Sequence, residues 1–476
     1  MEVVELMRKS IQQLAPLIRK KEISPVELVK QCLQRIEETE PSINAYITVM
    51  GDKAMDDAAI AEQEIMNGGY KGALHGIPYS AKDLFATRGV KTTAGSRILA
   101  DYVPEYDATA VRRLADAGAI LVGKNNLHEF AFGGTNENEH FGPTRNPWNL
   151  NMIPGGSSGG SGASVAASSS IFSLGTDTGG SIRMPAALCG VVGIKATYGR
   201  VSRRGVLPLS SSLDHAGPLT KSAWDAAAVL QVIAGRDPND ASSSDREVPD
   251  YLDALSETDT FPMKGTTIGI CKEYYFDGLD ADIEQAIRQS IRLFEELGAT
   301  IVEVSVPSLA ETVRLQGLIT VAEAYAYHSG YLKERHAEYG SNIRTRLEMG
   351  QYIPAWAYVE AQRLRQQYKR EWAAVYKRID LMLAPTTAIP AFAIGGETIT
   401  LGGKDVNPRD LGVLGRTSPG NFNGYPSISV PCGFTSAGLP IGLQIQGRPF
   451  EEAAVLQAAH VYEQASIQAA TSKLAV

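Results

Sequence analysis

One stretch constrains this chain more than any other: Gly155 to Gly193, reading GGSSGGSGASVAASSSIFSLGTDTGGSIRMPAALCGVVG. Two serine-glycine clusters, Gly155–Ser161 and Thr176–Ser181, flank a run of small residues. Serine-glycine runs are ordinarily flexible linkers. This one continues into Ala163-Ser164-Val165-Ala166-Ala167, which reads as a tight small-residue helix. It then enters Ile171-Phe172-Ser173-Leu174-Gly175, which reads as a buried strand. The pattern predicts a packed turn-helix-strand-turn unit.

Glycine at both clusters frees the backbone to approach a ligand closely. The segment Thr178-Gly179-Gly180-Ser181 is suited to turning successive backbone N–H groups toward one point, a nest able to hold an oxyanion. Ser181 ends that nest. The first cluster, Gly156-Ser157-Ser158-Gly159-Gly160, supplies a sharp turn carrying a second serine. No histidine lies in either cluster. The basic residue in a matching setting is Lys82, in GIPYSAKDLF. A lysine has a solution pKa of about 10.4. Burial disfavours its charged form, so a desolvated amine can act as a base. Asp177 and Arg183 bracket Ser181 and are expected to fix the nest, either by pairing or by bonding the loop. The glycines match neither G-x-x-x-x-G-K-[ST] nor G-x-G-x-x-G, and Lys195 stands at the wrong spacing for a phosphate loop.

The chain resembles the amidase signature family. The likeness runs through LHGIPYSAKDLFATRGVKTTAGS, LVGKNNLHEFAFGGTNENEHFGPTRNPW, PGGSSGGSGAS, LGTDTGGSIRMPAALCGVVGIKATYGRVSRRGV and LDHAGPLTKSAWDAA, then LMLAPTT and ISVPCGF with GLPIGLQIQG. The resemblance implies one large α/β/α sandwich, a central mixed sheet covered by helices. It puts the family's catalytic lysine on Lys82, its bridging serine (held by a cis peptide bond) on Ser157 and its nucleophile on Ser181. Thr178, Gly179, Gly180 and Ser181 supply the oxyanion hole. The implied activity is hydrolysis of carboxylic amides, with esters and carbamates open to the same route, through an acyl-enzyme and with no metal or cofactor. Two branches of the family fit: stand-alone amidases, and the glutamine-hydrolysing amidase subunit of a tRNA-dependent amidotransferase. That subunit typically has Met-Asp-Glu-Phe where this chain has Leu127-His128-Glu129-Phe130. It also carries a Tyr-Asp-Gly-x-Arg-Tyr-Gly stretch, where this chain reads AEAYAYHSGYLKERHAEYG. These differences set the expectation on the stand-alone branch.

At 476 residues and 44% hydrophobic, the chain is long enough to bury a large core. Its net charge of −8 and the lack of a basic run argue against a nucleic-acid partner. The first residues, MEVVELMRKSIQQL, have no apolar core of a secretion signal. No window approaches the roughly 18 apolar residues of a membrane span. The four cysteines, at 32, 189, 271 and 432, show no paired spacing and fit a reducing cytoplasm. The expected partner is therefore a small-molecule amide, with no nucleic acid, no membrane, and a homo-oligomer left open.

Along the chain, Ser24-Pro25-Val26-Glu27 signals a helix start. Helix-glycine-strand units recur at AVRRLADAG-AILVG and DIEQAIRQSIRLFEELG-ATIVEV, the latter preceded by TTIGIC. Such βαβ-like units independently predict an α/β sandwich. Residues 61–230 form the expected catalytic core of one amidase domain, 1–476. Residues 236–264 read as a polar surface excursion. Residues 318–376, with Tyr325, Tyr327, Tyr331, Tyr339, Tyr352, Tyr358, Tyr368, Tyr376 and Trp356, are the expected specificity helices. The loop from Arg416 to Asn423 is a second candidate pocket wall.

Overall fold

The computed structural model describes residues 3–256, 262–409 and 414–474. Eleven strands form one mixed sheet: β1 (Tyr46–Val49), β2 (Pro78–Lys82), β3 (Ile120–Asn125), β4 (Phe172–Asp177), β5 (Val192–Lys195), β6 (His215–Thr220), β7 (Thr267–Cys271), β8 (Thr300–Val304), β9 (Leu381–Pro385), then β12 (Ser427–Phe434) and β13 (Pro440–Gly447). A separate hairpin, β10 (Ile399–Leu401) and β11 (Lys404–Val406), lies outside it. The order across the large sheet is β1-β3-β2-β4-β6-β5-β12-β13-β9-β7-β8. Parallel pairs (β2 with β3 and β4, β7 with β8 and β9) flank an antiparallel centre. With helices packed on it, this is the expected α/β architecture of the amidase signature fold.

Residue chemistry explains the central strands. Every residue of β2, β3, β4, β5, β6, β9 and β13 is buried, as strands covered on both faces require. The helix-glycine-strand units fall where expected. Helix Thr109–Asp116 precedes β3, and helix Ala281–Glu296 joins the parallel pair β7 and β8. Ser24 caps helix Pro25–Ile43 by accepting from the N–H groups of Val26 and Glu27. That helix runs to Ile43 and stops at Asn44 in the left-handed conformation (φ 55°).

The small-residue run forms helix Gly159–Ala166, between the first serine turn and β4. Its glycines are required by close approach: a Cβ on Gly160 would stand 2.3 Å from the Asn126 carbonyl oxygen and 2.5 Å from that of Ala45. The helix thereby sits against the sheet with its first turn beside the ends of β2 and β4.

Within residues 236–264, positions 257–261 lie outside the described residues. The remainder is more than a surface excursion. Tyr251, Leu255 and Met263 are buried in the main core, and Arg200 Nη1 donates to the carbonyls of Arg246 and Glu247. Among the described residues, no helix is long and apolar enough to cross a membrane.

Candidate active site

Strands β2 and β4 are adjacent and parallel, so their C-terminal ends emerge side by side. Lys82 ends β2, and the nest Thr178–Ser181 follows β4 directly. The first serine turn precedes helix Gly159–Ala166 and is pinned from three sides. His128 N–H donates to the Ser157 carbonyl at 3.1 Å, Ser158 N–H to the Ser181 carbonyl at 3.3 Å, and Gly159 N–H to Asn136 Oδ1 at 3.0 Å. The Gly156–Ser157 peptide bond is cis.

Lys82 Nζ lies 2.6 Å from Ser157 Oγ and 2.8 Å from Thr176 Oγ1. Lys82 and Ser157 are wholly buried. Burial lowers the Lys82 pKa to about 7; the carboxylates of Asp214 and Asp177 work against that shift without cancelling it. An amine poised near neutrality beside a serine hydroxyl is fit to take up and return a proton. No sequence motif marks the contact with Thr176, although that residue opens the second serine-glycine cluster.

Asp177 and Arg183 do pair. Arg183 Nη2 and Nε meet Asp177 Oδ1 and Oδ2 at 2.9 and 3.0 Å, with both side chains fully buried. Burial pushes the Asp177 carboxyl up, but the Arg183 guanidinium, Lys195 and the Asn421 amide together more than offset it and hold the group well below the usual carboxylate range. Asp177 also accepts from the N–H groups of Gly180 (2.8 Å), Ile182 (3.1 Å) and Arg183 (3.3 Å). Asn421, Gln444 and Thr417 complete the cage. Asn421 Nδ2 donates to Asp177 Oδ1, and Arg183 donates to Asn421 Oδ1, Gln444 Oε1 and the Thr417 carbonyl. The pair therefore organises the turn beneath Ser181. Because the Gly180 N–H is taken by Asp177, the donors that can serve an oxyanion narrow to those of Thr178, Gly179 and Ser181. Gly180 itself has φ +130°, and a Cβ there would stand 2.0 Å from Thr417 Oγ1, so no side chain fits.

Ser181 faces a cavity of about 90 Å³ that is walled by Phe132, Met184, Leu209, Val313, Gln316 and Val321, among others. The helix Thr312–Arg335 supplies much of that wall, which therefore begins at Val313, before the start at residue 318 expected for the specificity helices. The aromatic residues expected there line none of it. Tyr368 and Tyr376 enter a separate core cluster with Trp372, while Tyr352 and Trp356 are solvent-exposed. From the loop Arg416–Asn423, Ser418 reaches the cavity wall, and Thr417 and Asn421 support Arg183.

Arg346 lines this cavity and also a larger polar one of about 580 Å³ that contains His128, Glu129, Glu137, Glu139 and Arg409. His140 lies off that cavity's lining, with its Nε2 against Glu129 Oε1 at 3.1 Å. His128 is buried, and its imidazole is held neutral: burial, then the positive charges of Arg346, Lys82 and Arg409, lower its pKa to about 3. The Arg346 guanidinium is half-buried and donates to the Phe132 carbonyl at 3.1 Å. No carboxylate pairs with it among the described residues. Neither periodicity nor motif marks this arginine in the sequence.

Sheet, buried lysine and paired serine turns together place the chain in the amidase class of hydrolases. The family model for Amidase matches residues 27–456, and the chain belongs to that family. It is 44% identical to the A subunit of the glutamyl-tRNA(Gln) amidotransferase of Trichlorobacter lovleyi, over 97% of this chain and 98% of that one. The protein of the same name from Thermotoga maritima has a solved structure that is 35% identical, with a TM-score of 0.79 over 95% of this chain and 94% of that one. A solved vestigial complex bearing on the origins of an s-triazine catabolic enzyme superposes with a TM-score of 0.91 at 34% identity, over 96% and 98% of the two chains. These likenesses overturn two expectations. The chain does not stand apart from the amidotransferase subunits, because identity over nearly the whole length outweighs two short divergent stretches. The exclusion of nucleic acid falls with it. Net charge describes one chain's own surface and says nothing of what an assembly holds.

Proposed function

We propose that the chain is the glutamine-hydrolysing amidase of a tRNA-dependent amidotransferase. It works with partner subunits that deliver the ammonia to glutamyl-tRNA. Full-length likeness to subunits of that name carries the reading. The site supports it through Arg346, a half-desolvated cation without an ionic partner among the described residues. Such a group suits the carboxylate of an amino-acid substrate.

The chemistry follows from the side chains. As Ser181 Oγ attacks the amide carbon, its proton passes to Ser157 and that of Ser157 passes to the Lys82 amine. The oxyanion rests on backbone N–H groups of the nest. The relay then reverses: Ser157 donates a proton to the departing nitrogen, ammonia leaves, and an ester to Ser181 remains. Water attacks that ester by the same route and frees the acid.

The test is ammonia release from glutamine by the chain co-purified with its partners, with and without glutamyl-tRNA, beside Ser181→Ala. Release that the variant abolishes supports the reading. Glutamine left intact by the assembly, while another amide is cleaved, overturns it. One observation favours a second substrate: the described residues lining the acyl cavity include no carboxylate to meet an ammonium. Glutaramate, which is glutamine without its amino group, run in the same assay decides between the two.

A further inference from the structure

The motif Leu213–Leu219 is unused by the chemistry above, yet its Asp214 is buried beside the nest. Asp214 Oδ1 accepts from the Thr178 hydroxyl at 2.6 Å, and Oδ2 accepts from the N–H groups of Leu209 and Ser210 at 2.9 and 3.0 Å. Burial pushes the Asp214 carboxyl up, and the three converging donors work against that shift in favour of the ionised carboxylate. Thr178 is held from a second direction, where Gln316 Nε2 donates to its carbonyl at 2.8 Å. The Thr178 carbonyl and the Gly179 N–H share one planar peptide and point opposite ways. A donor that fixes the carbonyl therefore aims the N–H. The next peptide is fixed likewise: Thr417 Oγ1 donates to the Gly179 carbonyl at 2.6 Å, and the Gly180 N–H meets Asp177.

We propose that Asp214 and Gln316 are positioning residues that aim the oxyanion donors through Thr178, one by its hydroxyl and the other by its carbonyl. This rests on Ser181 being the nucleophile of an amide hydrolase, and on no particular amide. Gln316 belongs to the helix that walls the acyl cavity. Glu323 of the same helix accepts from the Ser210 hydroxyl and the Ser212 N–H, at 2.5 and 2.9 Å, on the loop that carries Asp214. Helix, loop and nest form one bonded unit, so contacts that substrate makes with the helix are felt where the oxyanion forms. Asp214 has a second consequence. Lys82 faces the carboxylates of Asp214 and Asp177, the latter paired with Arg183, and a neutral His128. Of these, Asp214 is the larger influence favouring the protonated amine.

The experiment compares Thr178→Val, Thr178→Ser, Gln316→Met and Asp214→Asn. Each is assayed on glutamine in the assembled enzyme and on p-nitrophenyl butyrate with the chain alone. Misaimed donors lower kcat by roughly tenfold to 100-fold with little change in KM. Thr178→Val and Gln316→Met are expected to show that split on both substrates, and Thr178→Ser to regain most of the loss. Asp214→Asn is expected to lower kcat and also to move the acid limb of kcat/KM to lower pH, a shift that a purely structural defect does not produce. The inference is overturned if the variants change KM alone, if Thr178→Ser behaves as Thr178→Val, or if the limb of Asp214→Asn stays in place. If glutamine is inert while the ester shows the full pattern, the glutamine reading fails and this inference stands. If glutamine is turned over at an unchanged kcat in every variant, the reverse holds.

Discussion

Lys82 Nζ lies 2.6 Å from Ser157 Oγ, and water reaches neither group. That relationship sets the protonation chemistry of the site. A solvated lysine would be charged and inert as a base. Here burial brings its pKa to about 7.

The first prediction is a pH profile. The amine is protonated below its pKa and neutral above it, so kcat/KM rises with pH through about 7 and levels above it. Stability moves in the same direction. Between about 7 and the solution value the unfolded lysine binds the proton that the folded one lacks, so folding is favoured as pH rises across that window. A rate profile from pH 5 to 9 checks it; a flat profile through that range removes Lys82 as the base.

A second prediction separates the two serines. In the proposed relay Ser157 serves both proton transfers, but its donation to the leaving group matters most for an amine, which departs poorly unless protonated. Ser157→Ala is therefore expected to lower amide turnover at least about tenfold more than ester turnover. Ser181→Ala removes both alike. Parallel assays on an amide and an ester of one acyl group give the comparison, and equal losses in Ser157→Ala would count against the relay.

Arg183 makes a third case, where the structure changes the expectation. Read from sequence, truncating it is expected to harm turnover more than folding. In the structure it is fully buried and bonded to Asp177, Asn421, Gln444 and the Thr417 carbonyl. Arg183→Ala leaves the Asp177 carboxylate buried without its cation, which typically costs about 3–5 kcal/mol. Urea denaturation is expected to show a loss of that size. A loss under about 1 kcal/mol, the range of an exposed pair, would mean that water reaches the site freely.

What the sequence disclosed, and what it hid, divides along physical lines. The two serine turns were legible because glycine-rich clusters that run on into an apolar helix and strand do not read as linkers. Lys82 was singled out as the basic residue in a matching setting, and the structure sets it 2.6 Å from Ser157. The helix-glycine-strand units were legible because apolar runs and terminating glycines are local signals. The cavity wall was not. Tyrosines through 318–376 occupy several faces of long helices, and periodicity does not say which face meets a site. The structure sends Tyr368 and Tyr376 into a core and puts Val313, Gln316 and Val321 at the cavity. Asn421 and Gln444 reach Arg183 from more than 230 residues away, a convergence made by sheet order and invisible to spacing.

The last prediction concerns Arg346, which stands on the wall between the acyl cavity and the larger polar one. Its guanidinium is half-buried, and burial lowers its pKa, a cost that a substrate carboxylate arriving beside it would offset. Arg346→Met is therefore expected to raise KM for glutamine by roughly tenfold to 100-fold, the scale of a charge-assisted hydrogen bond. It should leave turnover of a neutral amide such as butyramide nearly unchanged. Arg346→Lys keeps the charge but loses the planar fork, so it is expected to recover only part of the loss. Equal effects of Arg346→Met on glutamine and butyramide would show that the guanidinium shapes the cavity and does not read a carboxylate.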